Sequence, residues 1–144
     1  MPVNKDYTVH TVDWGNECPA IRLIRETVFI HEQKVPGELE WDGLDTAAFH
    51  VLAVSADRQP VGTGRLLHSG QIGRMAVLRE HRGNGIGSAI LKTLLQLADA
   101  KKISGIFLNA QLQAVPFYRQ HGFTETGKHF NEAGIVHCRM DYRP

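Results

Sequence analysis

Two rhythms of apolar residues run along this chain of 144 residues. Ile21, Ile24, Val28 and Phe29 lie three and four apart, which predicts one apolar helix face over 19–33. Pro19 suits a first helical turn. Gly87, Ile90, Leu91, Leu94 and Ala98 repeat that spacing and predict a second helix. Shorter apolar segments at 7–12, 49–55, 61–68 and 71–78 read as strands, the last two joined in a hairpin at Ser69-Gly70. Residues 56–59 form a turn, and 34–45 a loop broken by Gly37 and Gly43. Beyond the second helix come a strand over 103–108 and a short helix carrying Ala114, Phe117 and Tyr118, ended by Gly122. Two further strands fall near 123–127 and 135–142. The order β-α-β-β-β-α-β-α-β-β predicts an α/β fold with a mixed sheet, antiparallel early and with a βαβ unit in its second half.

Composition narrows the class. The length is that of one domain spanning 1–144, with no linker or repeat. A net charge of +1 gives no electrostatic case for nucleic acid or an anionic membrane. Cys18 and Cys138 are isolated thiols, and the eight histidines are scattered without metal-site spacing, so no metal is expected. MPVNKDYTVH lacks an apolar signal core, and no apolar run reaches membrane-spanning length. A cytoplasmic protein is the expectation.

The chemistry concentrates in MAVLREHRGNGIGSAI, residues 75–90. An apolar strand runs into Gly83, Gly85 and Gly87 and then directly into the second helix. Glycines permit positive φ and close approach of a ligand to the main chain. The helix start adds unpaired N–H donors and the positive dipole end, so the segment is built to hold a phosphate group. A Walker loop is absent, and a dinucleotide fingerprint fails because its last glycine falls on Ser88. The pattern R-x-x-G-x-G is satisfied by Arg82, Gly85 and Gly87.

A second segment, IFLNAQLQAVPFYRQHGF, follows at residues 106–123. Together the two resemble the GCN5-related N-acetyltransferase (GNAT) family, with its pyrophosphate loop R-x-x-G-x-G and its downstream N-x-x-x-x-A-x-x-F-Y-x-x-x-G-F. The likeness extends over the whole chain. It is nearest to a small ElaA- or YjcF-like branch with an R-x-x-V-F-x-x-E-Q helix, matched here by Arg25, Val28, Phe29, Glu32 and Gln33, and by the late segment from Ala133 to His137.

The resemblance implies transfer of an acetyl group from acetyl-coenzyme A to an amine, with coenzyme A as cosubstrate. It places the pyrophosphate on the backbone of Arg82, Gly83, Asn84, Gly85, Ile86, Gly87 and Ser88, with Arg82 as a charged partner. The pantetheine arm would add to the strand at Met75, Ala76 and Val77, and a backbone N–H near Val77 would hold the oxyanion. Asn109, Ala114 and Phe117 complete the cofactor side. Tyr118 matches the position that protonates the departing thiolate or orients the sulfur. An amine of pKa about 10.4 needs a base. Many relatives carry a glutamate on the strand before the loop, where this chain has Gly73 and Arg74. Glu32 is the leading substitute and His137 the second, with a water relay as a third route. The acceptor side would draw on Arg25, Phe29, Gln33, Glu40, Asp42 and Gln111. The carboxylates Glu38, Glu40, Asp42 and Asp45 read either as a solvated loop or as a rim attracting a cationic acceptor. A dimer through the late strands is plausible in such a family. The alternative from another class is a catalytically idle acyl-coenzyme A binding module.

Overall fold

The computed structural model describes residues 6–144. Strand β1 (Tyr7–Val12) leads to helix α1 (Trp14–Arg25), which continues as a π-helical segment (Glu26–Glu32). The short helix α2 (Gly37–Glu40) interrupts the expected loop. Strands β2 (Phe49–Ser55), β3 (Pro60–Leu66) and β4 (Gln71–Val77) follow, then helix α3 (Ile86–Ala100). The chain ends with β5 (Phe107–Gln111), α4 (Val115–Arg119), β6 (Phe123–Glu125), β7 (Phe130–Glu132) and β8 (Ile135–Tyr142).

These strands form one mixed sheet in the order β1-β2-β3-β4-β5-β8-β6, with β7 also paired to β8. The first four strands are antiparallel neighbours. β4 and β5 are parallel and meet only at Gln71–Phe107 and Ile72–Leu108. From Gly73 onward β4 has no partner on that side, so the sheet splits open there.

Helices α1 and α3 pack on opposite faces of the sheet, with α4 beside α3. Ile86, Ile90, Leu91, Leu94 and Ala98 of α3 join the core built on β2–β5 and β8. Ile21, Ile24, Val28 and Phe29 join a second cluster with Leu52 and Ala76 on the other face. Gly64 on β3 lets α3 approach closely. A Cβ there would stand 2.7 Å from Ile90 Cγ2 and 2.8 Å from Leu94 Cδ1, inside contact distance.

The sequence reading differs from this in three places. Helix α1 starts at Trp14, so Pro19 sits in its second turn, and the α-helical pattern stops at Arg25. The π turn is marked by the Gln33 N–H donating to the Val28 carbonyl, five residues back, at 3.0 Å. Second, the strand expected over 103–108 begins at Phe107. Lys102 takes φ 56°. Ile103 N–H donates to Ala98 O, and Lys102 N–H to Asp99 O, so Ile103 belongs to a Schellman cap on α3. Third, β7 was not anticipated. Its two-residue turn to β8 puts Ala133 at φ 53° and Gly134 at φ 78°, a type I′ arrangement that Ala-Gly does not announce as Asn-Gly would.

Three of the four acids of the loop are held by arginines, while Glu38 is exposed. Arg25, 0% exposed, donates from Nε to Glu40 and from Nη1 to Asp45, both at 2.6 Å. Arg65 bridges Asp42 and Asp45 at 2.8–3.0 Å, and Arg74 reaches Asp42 at 3.2 Å. Three arginines thus neutralise three carboxylates. Arg25, expected at the acceptor, is a core residue, because its full burial demands the two acids that hold it.

Two consequences can be measured. Arg25→Met removes the closest cation from buried Glu40 and Asp45, leaving them Arg74 and Arg65, and should cost about 3–5 kcal/mol in chemical denaturation. The guanidinium of Arg65 and the Leu44 amide hold Asp42 at about 2 against desolvation, and Asp45 is also held low by Arg25 and Arg65. Stability from these two acids is present above their unfolded values and lost as pH falls from about 4 toward 2. Burial pushes Glu40 the opposite way and offsets part of it. Asp42→Asn should lower the melting temperature at pH 7 and flatten its fall over that acidic window.

Candidate active site

Where β4 and β5 part, two hollows open. A cleft of about 500 Å³ lies along Met75, Ala76 and Val77, the loop from Arg82 to Ser88, and Phe117 of α4. A cavity of about 520 Å³ lies toward α2 and the β7–β8 hairpin, bounded by Phe29, Asp42, Arg74, Asn109, Gln111 and His137. Gln33, Met75, Ala114 and Tyr118 border both.

The π segment helps to build this divide. Its wider winding presents the buried neighbours Val28 and Phe29 to different hollows, Val28 to the cleft and Phe29 to the cavity. Gln33 closes the segment and accepts a hydrogen bond from Gln111 of β5 at 2.8 Å. That bond spans the opening between the two halves of the sheet.

The cleft is suited to an anion. Gly85 precedes α3 at φ 77°, a conformation costly for any residue with a Cβ. No side chain caps this helix, and the first backbone bond is the Ala89 N–H to the Gly85 carbonyl at 3.1 Å. The amides ahead of Ala89 have no acceptor within the helix. The strand edge offers more. Leu78 N–H donates to Val61 on β3 at 2.8 Å. By strand alternation the Val77 N–H points the other way, into the split.

Arg82 does not extend a free charge into this cleft. Its Nη1 and Nη2 form a fork on the Glu32 carboxylate at 2.9 and 2.8 Å, and its Nε donates to the Val77 carbonyl at 2.9 Å. Arg79 approaches the same carboxylate at 3.5 Å. The Arg82 hydrogen bond holds the Glu32 carboxyl below its usual range, which makes it a poor proton acceptor. Glu32 borders neither hollow, so the expectation that it acts as base is corrected: it braces the loop. Asn84 likewise turns away, donating to the His81 carbonyl at 3.0 Å. Asn109, expected on the cofactor side, lies on β5 and borders the cavity instead.

Tyr118 stands between the hollows with its hydroxyl 3.7 Å from Met75 Sδ. Burial pushes its phenol up to about 12. His137, 7% exposed, faces the cavity from β8. Its Nδ1 lies 2.7 Å from the Ile135 carbonyl, and a carbonyl only accepts, so Nδ1 carries the proton. In that tautomer the lone pair is on Nε2, with Glu132 at 3.8 Å and Phe130 stacked on the ring at 5.9 Å.

A model of the acetyltransferase (GNAT) domain matches residues 6–144. The chain belongs to the GNAT acetyltransferase family. Among curated proteins it is 42% identical over 121 residues to the uncharacterized N-acetyltransferase YjcF of Bacillus subtilis, covering 81% of this chain and 86% of that protein. The crystal structure of an acyl-CoA N-acyltransferase from Pseudomonas aeruginosa superposes with a TM-score of 0.81 at 30% identity, over 96% and 99% of the two chains. Escherichia coli ElaA superposes with a TM-score of 0.84 at 25% identity, over 95% and 99%. Family membership makes this chain an acyltransferase of the acyl-coenzyme A dependent kind. The uncapped helix start, the open strand edge and the cleft beside them fit that cosubstrate. No helix among the described residues is long and apolar enough to cross a membrane.

The Glu32–Arg82 brace makes a prediction for coenzyme A binding. Arg82→Ala and Glu32→Ala should each weaken it several-fold, and the double variant no further, because both remove one interaction. Calorimetry on the three variants measures the coupling.

Proposed function

We propose that this protein moves an acetyl group from acetyl-coenzyme A to the primary amine of a small acceptor by direct attack. The observation that carries the reading is the position of Tyr118, which borders both the anion-binding cleft and the cavity. The diphosphate is held by the amides of residues 83–88, and the extended arm pairs with Met75, Ala76 and Val77. The thioester then lies beside Tyr118, and the acceptor reaches it from the cavity.

His137 is the base in this reading. It lies on the cavity side, and its Nε2 lone pair is fixed there by the Nδ1 bond to Ile135. The amine nitrogen bonds to the carbonyl carbon while the Val77 N–H steadies the oxygen. The carbon–sulfur bond breaks as the nitrogen's proton passes to Nε2. Tyr118 meets the departing sulfur as a hydrogen-bond donor. Full transfer from a phenol near 12 to a thiolate of pKa about 8.5 runs uphill by roughly 5 kcal/mol. Tyr118 therefore stabilises the thiolate by donation more than by giving up its proton. The unpaired cysteines fit a reducing compartment, and we place the protein in the cytoplasm.

Release of free thiol from acetyl-coenzyme A with a panel of amines tests the proposal. Tyr118→Phe should lower kcat by roughly 10²-fold with little change in coenzyme A affinity, and His137→Ala by about 10²–10³-fold. The rate should show no alkaline decline from Tyr118 below pH 10, since burial keeps the phenol protonated there. Tight coenzyme A binding without thiol release for any amine would instead identify an idle binding module.

A further inference from the structure

The cavity holds a residue that its framework does not explain. Arg74 sits in a β-bulge of β4, where Gly64 of β3 faces both Arg74 and Met75 as the register passes from Thr63–Ala76 to Arg65–Gly73. Its backbone adopts φ 48°, a conformation unfavourable for a side chain of this size. Bulges of this kind redirect a side chain beside a site, and strained backbone persists where the surroundings enforce it. The redirected guanidinium lines the cavity, one residue before Met75, which touches the Tyr118 hydroxyl.

Charge accounting separates Arg74 from its neighbours. The side chains of Arg25 and Arg65 are 1% and 5% exposed; Arg65 also lines the cavity and its Nε also lacks an acceptor, but its Nη1 and Nη2 are both held by Asp42 and Asp45. Arg74 is 25% exposed. It reaches Leu39 O, Glu40 O and Asp42 Oδ2 at 3.2–3.3 Å, all from the single nitrogen Nη2. Among the described residues, Nη1 has no hydrogen-bond acceptor. Nε lies 3.4 Å from Glu40 Oε2 but finds no acceptor in hydrogen-bonding geometry. Glu40 is held at shorter range by Arg25, at 2.6 Å, and Asp42 by Arg65, at 2.8 Å.

We propose that Arg74 receives a carboxylate of the acceptor, and that the acceptor is a small amino acid: a primary amine that carries its own anionic group. Nε is buried, so Nη1, without an acceptor among the described residues, is the donor left for a carboxylate in a charge-assisted hydrogen bond. The cavity volume of about 520 Å³ suits a small molecule. The loop acids facing the cavity are already paired with arginines, which leaves Glu132 as the one lining carboxylate without an arginine partner among the described residues. His137 and Glu132 line the same cavity and supply the polar partners for the amine. This inference rests on the acetyl-transfer reading.

The test compares acceptors with and without the carboxylate. Phenylalanine and phenethylamine, lysine and cadaverine, β-alanine and ethylamine, and 4-aminobutyrate and propylamine are offered with acetyl-coenzyme A, and thiol release is followed. The carboxylated member of at least one pair should show a kcat/KM 10-fold or more above its partner. Arg74→Met should erase that preference by raising KM for the carboxylated acceptor, with kcat and the constants for the plain amine nearly unchanged. Arg74→Lys should restore part of it. Equal or better use of the plain amines overturns the assignment and leaves acetyl transfer standing. A preference that persists in Arg74→Met, with the melting temperature retained, overturns the role of Arg74. Absence of thiol release with every acceptor, despite coenzyme A binding, overturns both readings.

Discussion

The parallel contact between β4 and β5 is the constraint from which the site follows. Two residue pairs hold these strands together, and then they separate. Complete pairing would have consumed the strand edge at 73–77 and filled the space where the cleft and cavity now lie. The sheet gives up hydrogen bonds at its centre and gains a backbone surface that a ligand can complete. What keeps the opening in shape lies around it: the π segment above, the Gln33–Gln111 bond across it, and the Glu32–Arg82–Val77 chain at its rim.

Charge is arranged on two levels. Near the cleft, Arg82 is matched by Glu32, so on the proposed reading attraction for a diphosphate would rest chiefly on oriented amides that need no counter-charge. Under the cavity, Arg25 and Arg65 tie three carboxylates to α1 and β3 at 2.6–3.0 Å, and Arg74 joins from β4 at 3.2–3.4 Å. Such networks are costly to break and uncertain in net gain, and their value lies in fixing one arrangement of chain. Here the fixed arrangement is the cavity floor.

Much of the fold was legible in the sequence because its elements are periodic. Ile21, Ile24, Val28 and Phe29 are buried as their spacing required, and α3 buries Ile90, Leu91, Leu94 and Ala98. The family was legible in two short motifs. What escaped were features decided by tertiary contacts. Nothing local marks the change from α to π winding at Arg25. Lys102 and Ala133 occupy positions where glycine or asparagine would have given the turn away. The acids of the 34–45 loop resemble a solvated run until the fold brings Arg25, Arg65 and Arg74 from three separate elements. Glu32 has a base's side chain, but its partner lies fifty residues on, and only the folded chain shows that its charge is already matched. Arg74 is where family comparison misleads, since the residue type differs and the backbone at that point is bent.

Gly64 ties packing to ligand grip. The missing side chain lets Ile90 and Leu94 settle into the sheet, and the same helix ends at the amides that face the cleft. A methyl group added at Gly64 would lift α3 like a shim under a beam and tilt those amides away, although Gly64 borders neither hollow. Affinity for the cosubstrate is therefore set partly from beneath the sheet. A side chain at this buried glycine would strain the packing of α3 as well as shift the start of that helix.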